Sequence, residues 1–277
     1  MDWKEKNVLV TGGNGLVGSH LVKNLCEKGA NVICLSRSHN PNSYFASEKL
    51  ETLCAEEYGD LKDFARILDV VCKNEVDYIF HLGAQAIVKT GIKNPLETFD
   101  SNIMGTANIL EAARLYGEVE GIVVASSDKA YGSSEKLPYT EDMPLHGDYP
   151  YDVSKSCTDL ISQSYSKSYG LPVCVARFGN IYGEGDLNFN RIIPGCIRAG
   201  ILNECLNIRS NGKLIREYVY VGDVVSGYLS LSENMKKTCG EAFNLSSGEE
   251  LTVLDVVKQV SSVLGKNVKY LIIHPVK

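Results

Sequence analysis

The sequence contains no Cys-x-x-Cys pair. Its nine cysteines stand singly, at positions such as Cys26, Cys34, Cys54 and Cys72. An odd, unclustered set argues against a disulfide framework and against a zinc or other metal site, and it points to a reducing cytoplasm. No apolar run approaches the roughly 18 residues that cross a bilayer, so no membrane partner is expected. The opening residues, MDWKEKNVLVTGG, are charged and then enter a strand, which is not the pattern of a signal peptide. Basic charge is not in excess: 28 Lys and Arg stand against 34 Asp and Glu, for a net charge of −6. That balance leaves no broad cationic footprint for a nucleic-acid polymer. Internal repeats and low-complexity tracts are missing too. What remains is a chain of 277 residues, 44% hydrophobic and 22% charged, long enough for one large α/β domain or a domain with a smaller companion.

Short β-rich runs alternate with helical patterns. NVLVTG is followed by the helical LVGSHLVKNLCEKGA and then by the strand NVICLS. VDYIFHLGA leads to NIMGTANILEAARLYG, GIVVASS to YDVSKSCTDLISQSYSKSYG, and PVCVARFGN closes the series. Near-continuous apolar strands between helices predict a parallel sheet covered on both faces. Right-handed crossovers make it a Rossmann-type, doubly wound sheet. After Tyr182 the elements become short and mixed. The expected division is therefore 1–182 for the sheet domain and 183–277 for a smaller mixed α/β part.

VLVTGGNGLVGSHLV sets Gly12, Gly15 and Gly18 directly after the first strand and at the start of a helix. This spacing allows a tight turn and brings backbone close to a pyrophosphate at a helix N-terminus. A dinucleotide cofactor, NAD or NADP, is the expectation. At the end of the second strand, ICLSRS offers Ser36 and Arg37 but no carboxylate for a ribose hydroxyl, which leans the choice toward NADP. Asp60 and Leu61, in YGDLKD, fall where an adenine edge would lie.

Tyr-x-x-x-Lys occurs twice, as Tyr58 with Lys62 and as Tyr151 with Lys155. With 15 tyrosines in the chain such a match arises by chance, so context decides. The first lies in an apparent loop. The second opens a helix, where the i, i+4 spacing puts both residues on one face. An ammonium close to a phenol favours the phenolate and supplies a general base for an alcohol under oxidation. Ahead of that helix, EGIVVASSDKAYGSS runs four apolar residues into Ser126, Ser127, Asp128 and Lys129. Charge at an apolar strand tip is costly unless solvated or paired, while ligands on such sheets sit beyond the strand tips. The pair is either a solvated strand end or part of a catalytic crevice.

Taken together, TGGNGLVG, GDL, HLGAQ, SNIMGT, the serine-rich strand tip, YDVSK and RFGNIYG resemble the extended short-chain dehydrogenase/reductases that act on nucleotide sugars. The similarity runs over nearly the whole chain. The resemblance implies NAD(P) contacts from Gly12, Gly15, Leu16, Val17 and Gly18, and from Ser36, Arg37, Asp60 and Leu61. Further contacts would come from Leu82, Ala84, Gln85, Asn102, Ser126 and Phe178, together with Tyr151 and Lys155. It further implies a catalytic Ser127-Tyr151-Lys155 set and nucleoside-diphosphate-sugar contacts from Asn180, Arg191 and Arg216. A homodimer through helices near 99–116 and 151–168 is implied as well. The members most similar are 4,6-dehydratases, above all the CDP-glucose type. By that resemblance Asp128 protonates the departing 6-hydroxyl and Lys129 is the C5 base, a role that needs desolvation or a neighbouring positive charge. The alternatives are a 4-epimerase, which needs no additional acid or base, and a non-catalytic NAD(P)-binding module. Family members usually continue several dozen residues past the point matching Lys277, which leaves three readings open: a natural short form, a truncated chain or an incomplete substrate part.

Overall fold

A seven-stranded sheet organises the computed structural model, which describes residues 1–273. Its strands are β1 (Asn7–Thr11), β2 (Asn31–Ser36), β3 (Ala55–Tyr58), β4 (Tyr78–His81), β5 (Gly121–Ala125), β6 (Val173–Phe178) and β7 (Ala242–Leu245). They lie in the order β7-β6-β5-β4-β1-β2-β3, and every pairing is parallel. The order reverses between β1 and β4, which is where a doubly wound sheet opens a crevice beyond its strand tips.

The core strands form because their side chains are apolar on both faces. Ile122, Val123 and Val124 of β5 are fully buried, as are Val8, Leu9 and Val10 of β1. Each such side chain contributes about 1.5–3 kcal/mol of transfer free energy. Crossover helices cover the sheet: α1 (Leu16–Glu27), α2 (Phe64–Lys73), α3 (Gly105–Tyr116) and α4 (Pro150–Tyr169). Ile67, Val70 and Val71 on α2 and Ile109, Leu110, Ala112 and Ala113 on α3 share one core cluster with Leu9, Ile79 and Ile122. Asp63 caps α2 by accepting from the Arg66 N–H, and Gly117 ends α3 with φ +84°. A π-turn, Asp100–Met104, leads into α3.

Two compact units divide the chain, and their division is discontinuous. The first contains Met1–Phe178 and Gly222–Leu245; the second contains Gly179–Val221 and the chain from Ser246 onward. This differs from one cut at 182/183 because β7 closes the edge of the main sheet against β6, from Ala242↔Val175 to Leu245↔Phe178. The second unit holds three two-stranded sheets and a small core. There Cys196, Ala199 and Val257 pack helix Ile192–Leu202 against helix Val253–Leu264. Among the described residues no helix is long and apolar enough to cross a membrane.

Candidate active site

The polypeptide leaves β5 through Ser126 and Ser127 and turns at once into a 3-10 segment, Asp128–Tyr131. Both serines are 8% exposed. Ser127 caps that turn: its Oγ accepts from the Lys129 N–H at 3.3 Å and lies 2.9 Å from Asp128 Oδ1. Asp128 Oδ2 is in turn 2.9 Å from Lys129 Nζ. The Asp128 and Lys129 side chains are 28% and 40% exposed, so the strand tip offers a joined acid–base pair to solvent rather than burying it.

Helix α4 flanks this tip with an unusual inner face. Its buried residues are Asp152, Ser154, Lys155, Ser156, Thr158, Asp159 and Ser162, without one large apolar side chain among them. Small hydroxyls let the helix approach closely, and buried polar groups stay stable only when hydrogen-bonded. The bonds are there. Ser156 Oγ donates to the Ala130 carbonyl at 2.8 Å, and Thr158 Oγ1 to that of Asn102 at 3.1 Å. Asp159 takes Arg177 in a two-pronged ion pair, Nε to Oδ2 at 2.7 Å and Nη2 to Oδ1 at 3.0 Å, with neither side chain more than 2% exposed.

Lys155 reaches across to β5, donating to the Ala125 carbonyl at 2.6 Å. Burial alone pushes its ammonium down from 10.5 to about 8. Its Nζ stands 6.0 Å from the centroid of the Tyr151 ring, one helical turn earlier. The Tyr151–Lys155 spacing is therefore a spatial pair. The other match is not: Tyr58 donates to Glu56, and Lys62 to Glu97, each at 2.9 Å.

A buried hydrogen-bonded chain ties the tip of β1 to α4. Thr106 Oγ1 donates to the Asn102 carbonyl at 2.6 Å, so at 3.1 Å it accepts from His81 Nε2. That fixes the tautomer, leaving His81 Nδ1 to accept from Thr11 Oγ1 at 2.8 Å. Thr11 Oγ1 also accepts the Gly83 N–H at 2.9 Å. The Asn102 side chain clamps the backbone of Gln85 from both sides and donates to Ser154 Oγ at 2.9 Å. Burial holds His81 neutral, with Lys155 a second cause, lowering it to about 3.

The glycine turn packs backbone to backbone against the start of α1. Gly12 has φ +67°. A Cβ at Gly18 would run into the Gly12 carbonyl oxygen and come within 2.7 Å of Gly13 Cα. α1 starts at Leu16 and Val17 with Gly15 as its N-cap, and no side chain caps it. Glycine at 18 is thus required by the close packing of helix on turn, and the backbone N–H groups at the N-terminus of this twelve-residue helix are left without a side-chain cap, the arrangement that cradles an anion. Around it, Leu61 packs under Gly83 and Gly105, beneath the loop carrying Leu82 and Ala84, while Asp60 Oδ1 accepts from the Lys62 N–H. Ser36 is buried, and the Phe178 ring lies tilted at 45° to that of Tyr228 with centroids 5.1 Å apart, while the Phe178 carbonyl accepts from Ser127 Oγ. Arg37, 56% exposed, is bridged to Glu97.

The structure brings Ser127, Asp128 and Lys129 to one strand tip, with Tyr151 and Lys155 on the helix beside it. Asn180, Arg191 and Arg216 lie in the second unit. There Asn180 Nδ2 donates to the Glu217 carbonyl at 3.0 Å, and Arg191 bridges to Asp186 at 3.0 Å. Arg216 is exposed and donates to the Ile215 carbonyl. Sequence reading missed Thr11, His81, Thr106 and Ser154. The one available signal was a histidine closing the otherwise apolar strand YIFH.

Residues 8–246 match the NAD dependent epimerase/dehydratase family. A CDP-glucose 4,6-dehydratase of Salmonella typhimurium is 30% identical over 98% of this chain and 79% of its own length. A UDP-glucose 4-epimerase from Thermotoga maritima, solved with UDP-glucose, is 29% identical with a TM-score of 0.88, covering 98% of this chain and 86% of that one. A double mutant of DesIV, a dTDP-glucose 4,6-dehydratase from Streptomyces venezuelae with NAD and DAU bound, is 27% identical with a TM-score of 0.86, covering 96% and 84%.

Proposed function

This chain belongs to the NAD-dependent epimerase/dehydratase family, and from that premise we propose that it is a nucleotide-sugar 4,6-dehydratase. The observation that carries the reading is the Asp128–Lys129 pair at the tip of β5, directly after Ser127. The glycine cradle and the residues around it would hold a nicotinamide dinucleotide, which when bound takes hydride from C4 of the sugar and delivers it at C6. Tyr151 Oη receives the 4-hydroxyl proton, with the Lys155 ammonium favouring the phenolate. Ser127 Oγ orients that hydroxyl.

The elimination needs a base at C5 and an acid at O6. As an ion pair, Lys129 and Asp128 offer neither. Moving one proton along their 2.9 Å contact converts them into amine and carboxylic acid, which are the two forms required. For an ordinary lysine and aspartate in water that transfer is uphill by about 9 kcal/mol. Excluding water shrinks the gap, because the neutral pair has less hydration to lose. Lys129 Nζ then takes the C5 proton while Asp128 Oδ protonates the departing 6-hydroxyl, and the ion pair is restored as water leaves.

Asn180, Arg191 and Arg216 of the second unit supply the contacts to the nucleoside diphosphate, Arg216 meeting phosphate oxygens with its planar fork. Met104 on the π-turn and Leu160 on α4 are 53% and 56% exposed, which supports a homodimer packed through those segments. Nine free thiols suit a reducing cytoplasm. One observation favours a 4-epimerase instead: Lys129 is 40% exposed and its charge is already matched by Asp128. Lys129→Met separates the two. Under the dehydratase reading, water loss falls by about 10²–10⁴-fold while hydride removal from C4 persists; an unchanged dehydration rate excludes Lys129 as the base.

A further inference from the structure

β2 ends without a carboxylate, yet a distant part of the chain holds one beside it. Glu97, on the short helix Pro95–Phe99, is 60 residues beyond Arg37. Its Oε1 lies 3.3 Å from Arg37 Nη1 and its Oε2 2.9 Å from Lys62 Nζ. Ser101 Oγ donates to the same carboxylate at 3.1 Å. Arg37 is the residue after β2, and Lys62 belongs to the turn after β3, the neighbour of β2 in the sheet. The hydrogen bond from Lys62, then that from Ser101, holds the Glu97 carboxyl below the usual range and keeps it ionised.

In a sheet of this order the adenosine ribose lies off the end of β2, where a carboxylate accepts from a free 2′-hydroxyl and an arginine accommodates a 2′-phosphate. Without Glu97, Arg37 and Lys62, the latter also 3.8 Å from Asp60 Oδ2, would present two cations to a phosphate. Glu97 alters that balance. A 2′-phosphate would have to take both cations away from the carboxylate and then remain close to its negative charge. A 2′-hydroxyl meets no such repulsion. We propose that Glu97 is the specificity-determining residue that makes this chain select NAD over NADP, by occupying Arg37 and Lys62 and repelling a 2′-phosphate. The selection is built as a repulsive element, one of the two routes by which a site discriminates between related ligands.

This inference rests on the dinucleotide-binding reading above, and a binding measurement separates the two. The full chain, freed of any bound dinucleotide, is titrated by calorimetry with NAD and with NADP at one fixed ionic strength. NAD is expected to bind about tenfold tighter or better, and Glu97→Gln to shift the ratio toward NADP by about tenfold. Glu97→Gln is isosteric and sits on a partly exposed helix. Adding Arg37→Ala to Glu97→Gln should remove the gain. A wild-type chain that prefers NADP overturns the proposal. So does a ratio that stays within twofold in Glu97→Gln, with dinucleotide binding itself intact. Failure of both dinucleotides to bind overturns it together with the dinucleotide reading.

Discussion

Carrying the protein from pH 7 to pH 10 should separate what Lys155 does for stability from what it does for chemistry. Burial lowers its pKa from 10.5 to about 8. Between those values the unfolded chain keeps the proton and the native one releases it. The unfolded state then binds more protons, so this group makes stability rise with pH. Integrated from pH 7 to pH 10, the contribution is about 2–3 kcal/mol, or roughly 5–10 °C in Tm for a chain of this size. Other groups pull the opposite way: burial raises Cys26, Cys174 and Cys196 to about 11, 12 and 11, and these lose stability over the same range. The quantity to measure is therefore the difference between wild type and Lys155→Met in urea denaturation at pH 7, 8, 9 and 10. That difference should move by about 2–3 kcal/mol in favour of the wild type. Activity should do the reverse, falling above pH 8 as the ammonium beside Tyr151 is lost. A stability difference flat to within about 0.5 kcal/mol would refute the claim that a desolvated cation is held there.

Gly18→Ala should weaken dinucleotide binding by about tenfold or more, because the new Cβ would meet the backbone of Gly12 and Gly13, which cannot swing aside as a side chain can. Calorimetry reads the affinity and far-UV circular dichroism checks that the sheet is intact; undiminished affinity would remove the cradle from its assigned role. Asp159→Asn leaves Arg177 charged and unpaired under α4, and should cost about 3–5 kcal/mol in denaturant titration. A loss below about 1 kcal/mol would mean that the pair behaves like a surface contact despite its burial.

The strand tip and the Tyr151–Lys155 helix were legible because each rests on neighbouring residues: an apolar run broken by Ser127, Asp128 and Lys129, and an i, i+4 spacing. Strand β3 was not. AEEY alternates only weakly, none of its side chains is fully buried, and its extended form depends on pairing with β2 at the sheet edge. Strand β7 was read with the second unit for a similar reason, since AFNL is short and its partner β6 lies some 67 residues earlier (242 − 175). The polar inner face of α4 has no signature in hydrophobic periodicity. Its polar side chains are buried because β5 bonds Lys155, β6 bonds Asp159, the π-turn bonds Ser154 and Thr158, and Ala130 accepts from Ser156, partners remote in sequence. Glu97 beside Arg37 is the same case, a carboxylate placed by topology.

In the proposed reaction Asp128 and Lys129 add an elimination to the oxidation that Tyr151 and Lys155 support. The most direct measurement is incubation of the wild-type chain with CDP-glucose, dTDP-glucose, UDP-glucose and GDP-mannose in heavy water, with products followed by mass spectrometry. One of these sugars should lose a single water and gain deuterium at C5. Isomerisation at C4 without loss of water would contradict that reaction and leave Asp128 and Lys129 as a solvated strand end.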